Sequence, residues 1–428
     1  MSGRFRHSDL IVVGAGPAGL SAAIVAAGNG LKVTVIDEYP EPGGRMLGQF
    51  HEERGRWWVG RRVAEQLIET CGKQGVSIRC GVAAYGLLRE DGLWEVATSE
   101  GRLTAPRVLL ATGAAEAPVP ADGWTLPGVM SIGAAQVLAN VQYVKPGQRG
   151  LVVGVNALGM AIARELSVGG VSLAGIVLPP AGPFAGPSAQ PGECLRVLLG
   201  LSHLAPSPLF RLGGKMAHSF GMAGIVSRLM PRKGIRIWDI PLMLRTAAIA
   251  INGAERVESA TLADVDGAGR PIAGSERELP VDFVALAGGL YPLAELAAVA
   301  GCPFLYTPEL GGHLPFHSER MQTPVEGLFV AGNITGVESA LVAMAQGRLA
   351  GAAISDEAGA YRRDGERHVA EAVEEVRRAR AAAPIQFRPG IPEARENIYR
   401  LWQSAYREER DDGNEKDADE LVVQERIR

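Results

Sequence analysis

Residues 9–38 read DLIVVGAGPAGLSAAIVAAGNGLKVTVIDE. The run DLIVVG (9–14) is apolar and rich in β-branched residues, which favours a buried strand closed by glycine. Residues 17–28 are alanine-rich and helical in character. Pro17 falls in the first turn, where a missing N–H costs nothing, and Gly28 and Gly30 close the helix. KVTVID (32–37) makes a second strand. A strand, helix and strand within about thirty residues is the mononucleotide-binding unit. Its corner is Gly14-x-Gly16-x-x-Gly19: one glycine for the tight turn, one for close backbone approach to a diphosphate, one for helix–strand packing. The helix N-terminus adds N–H donors and partial positive charge. Candidate phosphate contacts are therefore Gly14, Gly16, Pro17, Ala18 and Gly19. Asp37 and Glu38, at the end of the second strand, are placed to accept from ribose hydroxyls.

The remaining strands and turns extend this unit. Gly43-Gly44-Arg45-Met46 is a turn that lets backbone approach an extended ligand; Gly44, Arg45 and Met46 are candidate contacts, with Arg45 adding charge near a phosphate or a flavin carbonyl. PRVLLATG (106–113) is a strand ending at Thr112 and Gly113. GLFVAG (327–332) is another, followed by Asn333 and a small-residue helix at 338–354. A strand aimed at a ligand with a helix N-terminus behind it can stabilise negative charge. Residues 149–178 repeat the pattern: RGLVVG, then NALGMAIARELSVGG, then VSLAGIVL. In this copy Asn156 replaces the central glycine, and the second strand ends in Val177-Leu178-Pro179-Pro180, with neither an acid nor an arginine for a nicotinamide cofactor's ribose. A working NAD(P) site is not expected there.

Composition sets the frame. The chain has 428 residues, 47% apolar and 21% charged, which suits two or three packed domains. A net charge of −4 argues against a nucleic-acid surface. Cys71, Cys80, Cys194 and Cys302 form no C-x-x-C pair, so the spacing points to packed thiols rather than a metal, an iron–sulfur cluster or a redox dithiol. The apolar run at the start is interrupted by GAGPAG, and no run reaches the roughly 20 residues that span a bilayer. A cytoplasmic protein without a transmembrane segment is expected. Residues 180–193 read as a loop and 194–232 as helical. From 235 to 282 short strands and turns follow, with a hairpin tip at 264–274. FVALAG (283–288) is a further strand. Beyond 361 the charge density implies one helix (367–381), a proline-rich stretch and a tail whose last fifteen or so residues are disordered.

The expected fold is thus α/β, with two Rossmann-like three-layer domains, the second inserted in the first. The boundaries are 1–118 with 283–360, 119–282, and a helical charged extension at 361–428.

The order GAGPAG, acidic strand end, GGR, ATG, then GLFVAGN with the AMAQGRLAG helix resembles the FAD-dependent pyridine nucleotide-disulfide reductase superfamily. The segments PADGWTLPGVMSIGAAQVL (120–138), VESATLADVDGAGRPIAG (257–274) and VDFVALAGGLYPLAELAAVAGC (281–302) are similar to the α-subunits of opine oxidase, proline or hydroxyproline dehydrogenase and hydrogen cyanide synthase. The resemblance implies FAD, with Ala84, Thr112, Gly113, Gly332 and Asn333 joining the contacts above. Asn333 stands where the superfamily usually has aspartate on the ribityl chain. The resemblance also implies oxidation of an amine or imino acid at a CH–NH or CH–NH2 bond, together with a second, amino-acid-oxidase-like subunit. No cysteine follows Cys302, so the iron–sulfur domain of some relatives is not expected in this chain. The catalytic groups stay unknown; His313 and His317 are candidate proton carriers, with ordinary loop histidines as the alternative. Two other functions stay open: a stand-alone NAD(P)H-dependent flavin reductase and a non-catalytic nucleotide-binding scaffold.

Overall fold

The strand Leu10–Val13 is buried along its whole length, and its side chains alternate between two cores. Leu10 and Val12 face one side with Val33, Val35, Leu109 and Phe329. Ile11 and Val13 face the other with Ile36, Val108, Leu110, Leu328 and Val330. That two-residue alternation with both faces apolar is what a strand covered on both sides requires. The structure is a computed structural model that describes residues 6–53, 56–200, 223–361, 363–383 and 390–412. Residues 201–222 of the helical stretch expected at 194–232, and the tail expected to be disordered, lie outside the described residues.

The described chain divides into two units. The first comprises Met1–Leu47, Gly60–Ala115 and Tyr291–Arg428. Its five-stranded sheet runs Leu328–Val330, Arg107–Leu110, Leu10–Val13, Val33–Asp37, Ser77–Cys80, with every pair parallel. The helices Pro17–Gly28 and Ala340–Glu357 cover one face. The antiparallel strands Ala84–Glu90, Leu93–Thr98 and Gly101–Ala105 supply Leu87, Trp94, Val96 and Leu103 to the other core. The result is the three-layer Rossmann-like arrangement expected from the sequence.

The second unit comprises Gly48–Val59 and Glu116–Leu290. Its sheet runs Val129–Ser131, Phe283–Leu286, Arg149–Val153, Ser172–Leu178, Ile240–Asn252, then antiparallel Ser259–Asp264 and Arg277–Pro280. Phe283–Leu286 lies here, parallel to Arg149–Val153, although the sequence reading groups 283 onward with the first domain. An apolar run of this length says that a strand is buried but not against which sheet. The hairpin expected at 264–274 joins the antiparallel strands Ser259–Asp264 and Arg277–Pro280.

The charged C-terminal region holds Gly365–Ala382, close to the expected helix, and a second helix, Ile391–Asp412, that the sequence reading misses. Ile391, Ala394, Ile398 and Trp402 recur every three or four residues and pack with Leu310, Leu314 and Phe316. The signal was present, and the surrounding charge hid it. Among the described residues no helix is long and apolar enough to cross a membrane.

Helices Pro17–Gly28 and Ala340–Glu357 meet through small residues. A Cβ on Gly347 would lie 2.1 Å from the Ala18 carbonyl oxygen. Gly347→Val is therefore expected to destabilise the fold by about 1–3 kcal/mol, as an overpacked contact does. Gly72→Ala, where nothing lies within 4 Å of the added carbon, is expected to stay within about 1 kcal/mol of the parent or gain stability. Urea denaturation of both variants checks the contrast.

Candidate functional site

Gly14 has φ +110°, and a Cβ there would lie 2.3 Å from the Ala111 carbonyl oxygen. A Cβ on Gly19 would lie 1.9 Å from the Gly14 carbonyl oxygen. These two positions let the helix Pro17–Gly28 start directly on the strand end. Gly16 differs: nothing lies within 4 Å of where its Cβ would be, and its φ of −77° is open to any residue. No side chain caps this helix, although Pro17 begins it as expected. The first-turn N–H groups thus have no side-chain acceptor. The GGR turn lies beside it. Gly43 donates to the Ala15 carbonyl (2.8 Å), and a Cβ on Gly44 would sit 3.0 Å from the Gly16 Cα. The structure so brings GAGPAG and GGR together, with Met46 buried and Arg45 at the surface.

The two acids at the strand end have different surroundings. Asp37 accepts from the Ala15 N–H at 2.6 Å and the Tyr39 N–H at 2.8 Å. Burial pushes its carboxyl above the ordinary value, and the bonds from Tyr39 and Ala15 oppose that. Asp37 therefore braces the glycine corner from behind. Glu38 is exposed at the same strand end. Val82 N–H donates to the Asp37 carbonyl (2.9 Å), which ties the segment leading to Ala84 to this edge. Across the sheet, Thr112 Oγ1 donates to the Leu293 carbonyl at 2.5 Å, ahead of Gly113 at φ +79°.

The segment after Leu328–Val330 is cross-braced. Gly332 N–H donates to Gln346 Oε1 at 2.9 Å, and Thr335 Oγ1 donates to the Gly332 carbonyl at 2.9 Å. Asn333 Oδ1 accepts from the Glu338 N–H at 3.1 Å. Glu338 is buried with Arg380 (2.6 Å) and Arg395 (2.7 Å). Burial alone would raise its pKa, but Arg395 and then Arg380 hold the carboxylate below its ordinary value. Sequence reasoning found none of these three charges: Arg380 and Arg395 sit in a densely charged stretch that reads as solvated surface, and Glu338 begins the expected small-residue helix with nothing nearby in sequence to pair it.

The candidate proton carriers part company. His313 is exposed against Tyr306, their ring centroids 4.8 Å apart. His317 is fully buried; its Nδ1 bonds to the Pro315 carbonyl at 2.7 Å and its Nε2 faces Arg395 Nη1 at 3.4 Å. Nδ1 must carry the hydrogen, since a carbonyl can only accept. Burial first, and the Arg395 charge second, hold its pKa down to about 3. A ring locked neutral beside a guanidinium is an acceptor for that guanidinium.

The corner of the second unit has the same backbone and a different filling. Gly154 has φ +118°, and a Cβ there would lie 2.2 Å from the Ala287 carbonyl oxygen. Asn156 occupies the place of Gly16. Its Oδ1 accepts from Gly159 N–H at 2.8 Å and caps the helix Ala157–Val168, while its Nδ2 donates to the Ala287 carbonyl at 2.7 Å. Also in this unit, Glu165 is buried and accepts from Gln136 (2.6 Å), Asn140 (3.0 Å) and the Phe50 N–H (3.3 Å). Burial raises its pKa to about 7 against those three bonds. Glu165 thereby anchors the hairpin that carries His51, Trp57 and Trp58, in which His51 stacks on Trp58 and Trp57 stays exposed.

Cys71, Cys194 and Cys302 are buried, and burial pushes their thiols up to about 11, 12 and 12. Cys80 is half-buried. Among the described residues no cluster of His, Cys, Asp or Glu could hold a metal ion.

Similarity to known proteins follows the same lines. The family described as pyridine nucleotide-disulphide oxidoreductase matches residues 8–176. The chain is 30% identical over 362 residues to the A subunit of opine oxidase from Agrobacterium tumefaciens (strain Ach5), which covers 81% of this chain and 65% of that protein. It is 31% identical over 356 residues to the corresponding opine oxidase chain of Rhizobium meliloti (strain 1021), covering 80% and 69%. The chain thus spans about two thirds of the length of these relatives. In fold it is similar to L-proline dehydrogenase from P. horikoshii, with a TM-score of 0.61 at 21% identity, over 86% of this chain and 59% of that one.

The neutral His317 sets a pH dependence. Its folded pKa of about 3 lies below the ordinary 6.5, so between these values the unfolded chain binds a proton that the fold refuses. The contribution is complete above about pH 6.5 and is lost as pH falls. Relative to His317→Gln, the parent is expected to lose roughly 1 kcal/mol of unfolding free energy per pH unit between about pH 6 and about pH 4. Urea titrations across that range measure it; a difference that stays flat contradicts a buried neutral ring.

Proposed function

The chain belongs to the pyridine nucleotide-disulphide oxidoreductase family, and we propose that within it this protein is an FAD-binding subunit of an oxidoreductase that attacks a carbon–nitrogen bond of an amino or imino acid. What supports a flavin in the first unit is the difference between the two glycine corners. Over Gly16 the helix N-terminus has no side-chain cap and nothing lies within 4 Å of where a Cβ would be; over Asn156 a side chain already accepts from the Gly159 N–H. The first corner fits a diphosphate, whose oxygens would take the free N–H groups and lie against the positive end of the helix. The second corner is shut by its own amide.

In this reading the N–H groups of Gly16, Ala18 and Gly19 hold the diphosphate, with Pro17, which has no N–H, starting the helix between them, while Gly14 and Gly19 set the corner. Glu38 accepts from the ribose, because Asp37 is occupied with backbone. The Ala84 segment borders the adenine end, since it is tied to the same strand edge. Gly44, Arg45 and Met46 line the extended part of the ligand. Thr112, Gly113, Gly332 and Asn333 stand at the remaining strand ends, toward the ribityl chain and the ring. Bound FAD supplies the two-electron acceptor chemistry; the protein supplies placement, exclusion of water and charge. Of the two candidate histidines, His317 is committed to the Pro315 carbonyl and Arg395, and His313 is exposed.

The opine oxidase relatives are named as parts of a larger enzyme. That name supports an amine or imino-acid donor and a second, amino-acid-oxidase-like chain as partner. A reducing cytoplasm agrees with the buried protonated thiols. A stand-alone NAD(P)H reductase is disfavoured by Asn156, which occupies the position a nicotinamide cofactor's diphosphate needs.

The purified chain is expected to be yellow and to release FAD on acid treatment. Millimolar NADH or NADPH alone is expected to leave its visible spectrum unchanged. Gly16→Asn, which copies the second corner into the first, is expected to lower FAD content at least tenfold. Its apo thermal midpoint should stay level or rise, since asparagine is a better N-cap than glycine. A colourless chain, or one that releases only an adenine nucleotide, overturns the flavin reading. Full occupancy in Gly16→Asn removes the corner as its seat.

A further inference from the structure

We propose that Arg395, on the C-terminal helix, is a positioning residue for the FAD site: it clamps the segment 332–338 so that Asn333 turns its amide N–H2, not its oxygen, toward the ligand. This rests on the FAD reading above.

The geometry begins with an arginine that has almost no contact with water. Arg395 is 2% exposed. Its Nη1 donates to the Thr335 carbonyl at 2.6 Å and its Nη2 to Glu338 Oε2 at 2.7 Å. Burying a guanidinium is unfavourable unless its donors are met; here two acceptors come from the one segment that joins Leu328–Val330 to the helix Ala340–Glu357, His317 Nε2 faces Nη1 at 3.4 Å, and Nε has no partner among the described residues. Arg380 takes the other carboxylate oxygen of Glu338 at 2.6 Å. Gly336 passes at φ +131°, where a Cβ would lie 2.9 Å from Arg395 Nη2, so the backbone there must be bare for the guanidinium to fit.

The clamp reaches Asn333 through Glu338. With the Glu338 side chain held by two arginines, its backbone N–H has a fixed direction, and Asn333 Oδ1 accepts it at 3.1 Å. Only the oxygen of an amide can accept an N–H, so the orientation of Asn333 is decided by this bond. Asn333 Nδ2 then has no partner among the described residues, and the side chain is half-buried rather than enclosed. A donor therefore faces outward. The group that meets it must be an acceptor, as a ribityl or phosphate oxygen is.

The test compares affinities of apo-protein for FAD and for ADP by equilibrium dialysis, with the apo thermal midpoint measured alongside. ADP engages the Gly16 corner without reaching 333. Arg395→Met and Asn333→Ala are each expected to weaken FAD at least tenfold and to change ADP affinity by less than twofold. Because Arg395 acts through Asn333, Arg395→Met in an Asn333→Ala background should add less than a further twofold loss. Independent losses that multiply, or FAD affinity unchanged in Asn333→Ala and Arg395→Met, overturn the clamp. If Arg395→Met fails to fold, Asn333→Ala carries the test: FAD binding equal to that of the parent removes the outward donor. Parent protein that binds ADP but not FAD refutes the FAD reading itself, and so is distinguished from failure of the clamp alone.

Discussion

The structure depends on how closely a helix can begin above the end of a strand. At Gly14 and Gly19 the gap is too small for a methyl group, and the chain has glycine at both. Their absent side chains bring the first-turn N–H groups of Pro17–Gly28 over the strand end, where the partial charges of the helix dipole are concentrated. Asp37 fixes this corner from beneath through the Ala15 N–H, and the GGR turn closes against it through Gly43. Helix Ala340–Glu357 then packs onto the same helix at Gly347, so the first and last motifs of the unit share one contact.

The second unit shows what the same corner becomes when its central glycine is replaced. Gly154 keeps the tight turn and Asn156 seals the helix end. The fold survives because the turn needs only its first glycine for conformational reasons; the central one serves whatever lies above it. Comparing two corners in one chain therefore separates the architecture from the binding.

Much of this was legible in the sequence because it is local. Glycine spacing, strand alternation and the acid at a strand end lie within thirty residues of one another, and they place Gly14, Gly16 and Gly19 without further information. The separate surroundings of Asp37 and Glu38 were not legible, since adjacent acids differ only in what approaches them. Nor was the sheet that takes Phe283–Leu286, because a short apolar run does not name its neighbour. Arg395 was the least legible: an arginine in a stretch of alternating charge looks like surface, and its partners Thr335, Glu338 and His317 lie far earlier in the chain. Glu165 was hidden for the same reason, with its donors drawn from Phe50, Gln136 and Asn140. Cofactor-facing motifs are thus readable where backbone performs the work, and unreadable where distant side chains do.

A crystal structure of the protein saturated with FAD tests the account most directly. It predicts diphosphate density against the backbone of Gly16 and the first turn of Pro17–Gly28, with Asn156 still bonded to Gly159 and no nucleotide above it. Diphosphate density over Asn156 and Gly159, with the Gly16 corner closed by side chains, would contradict it.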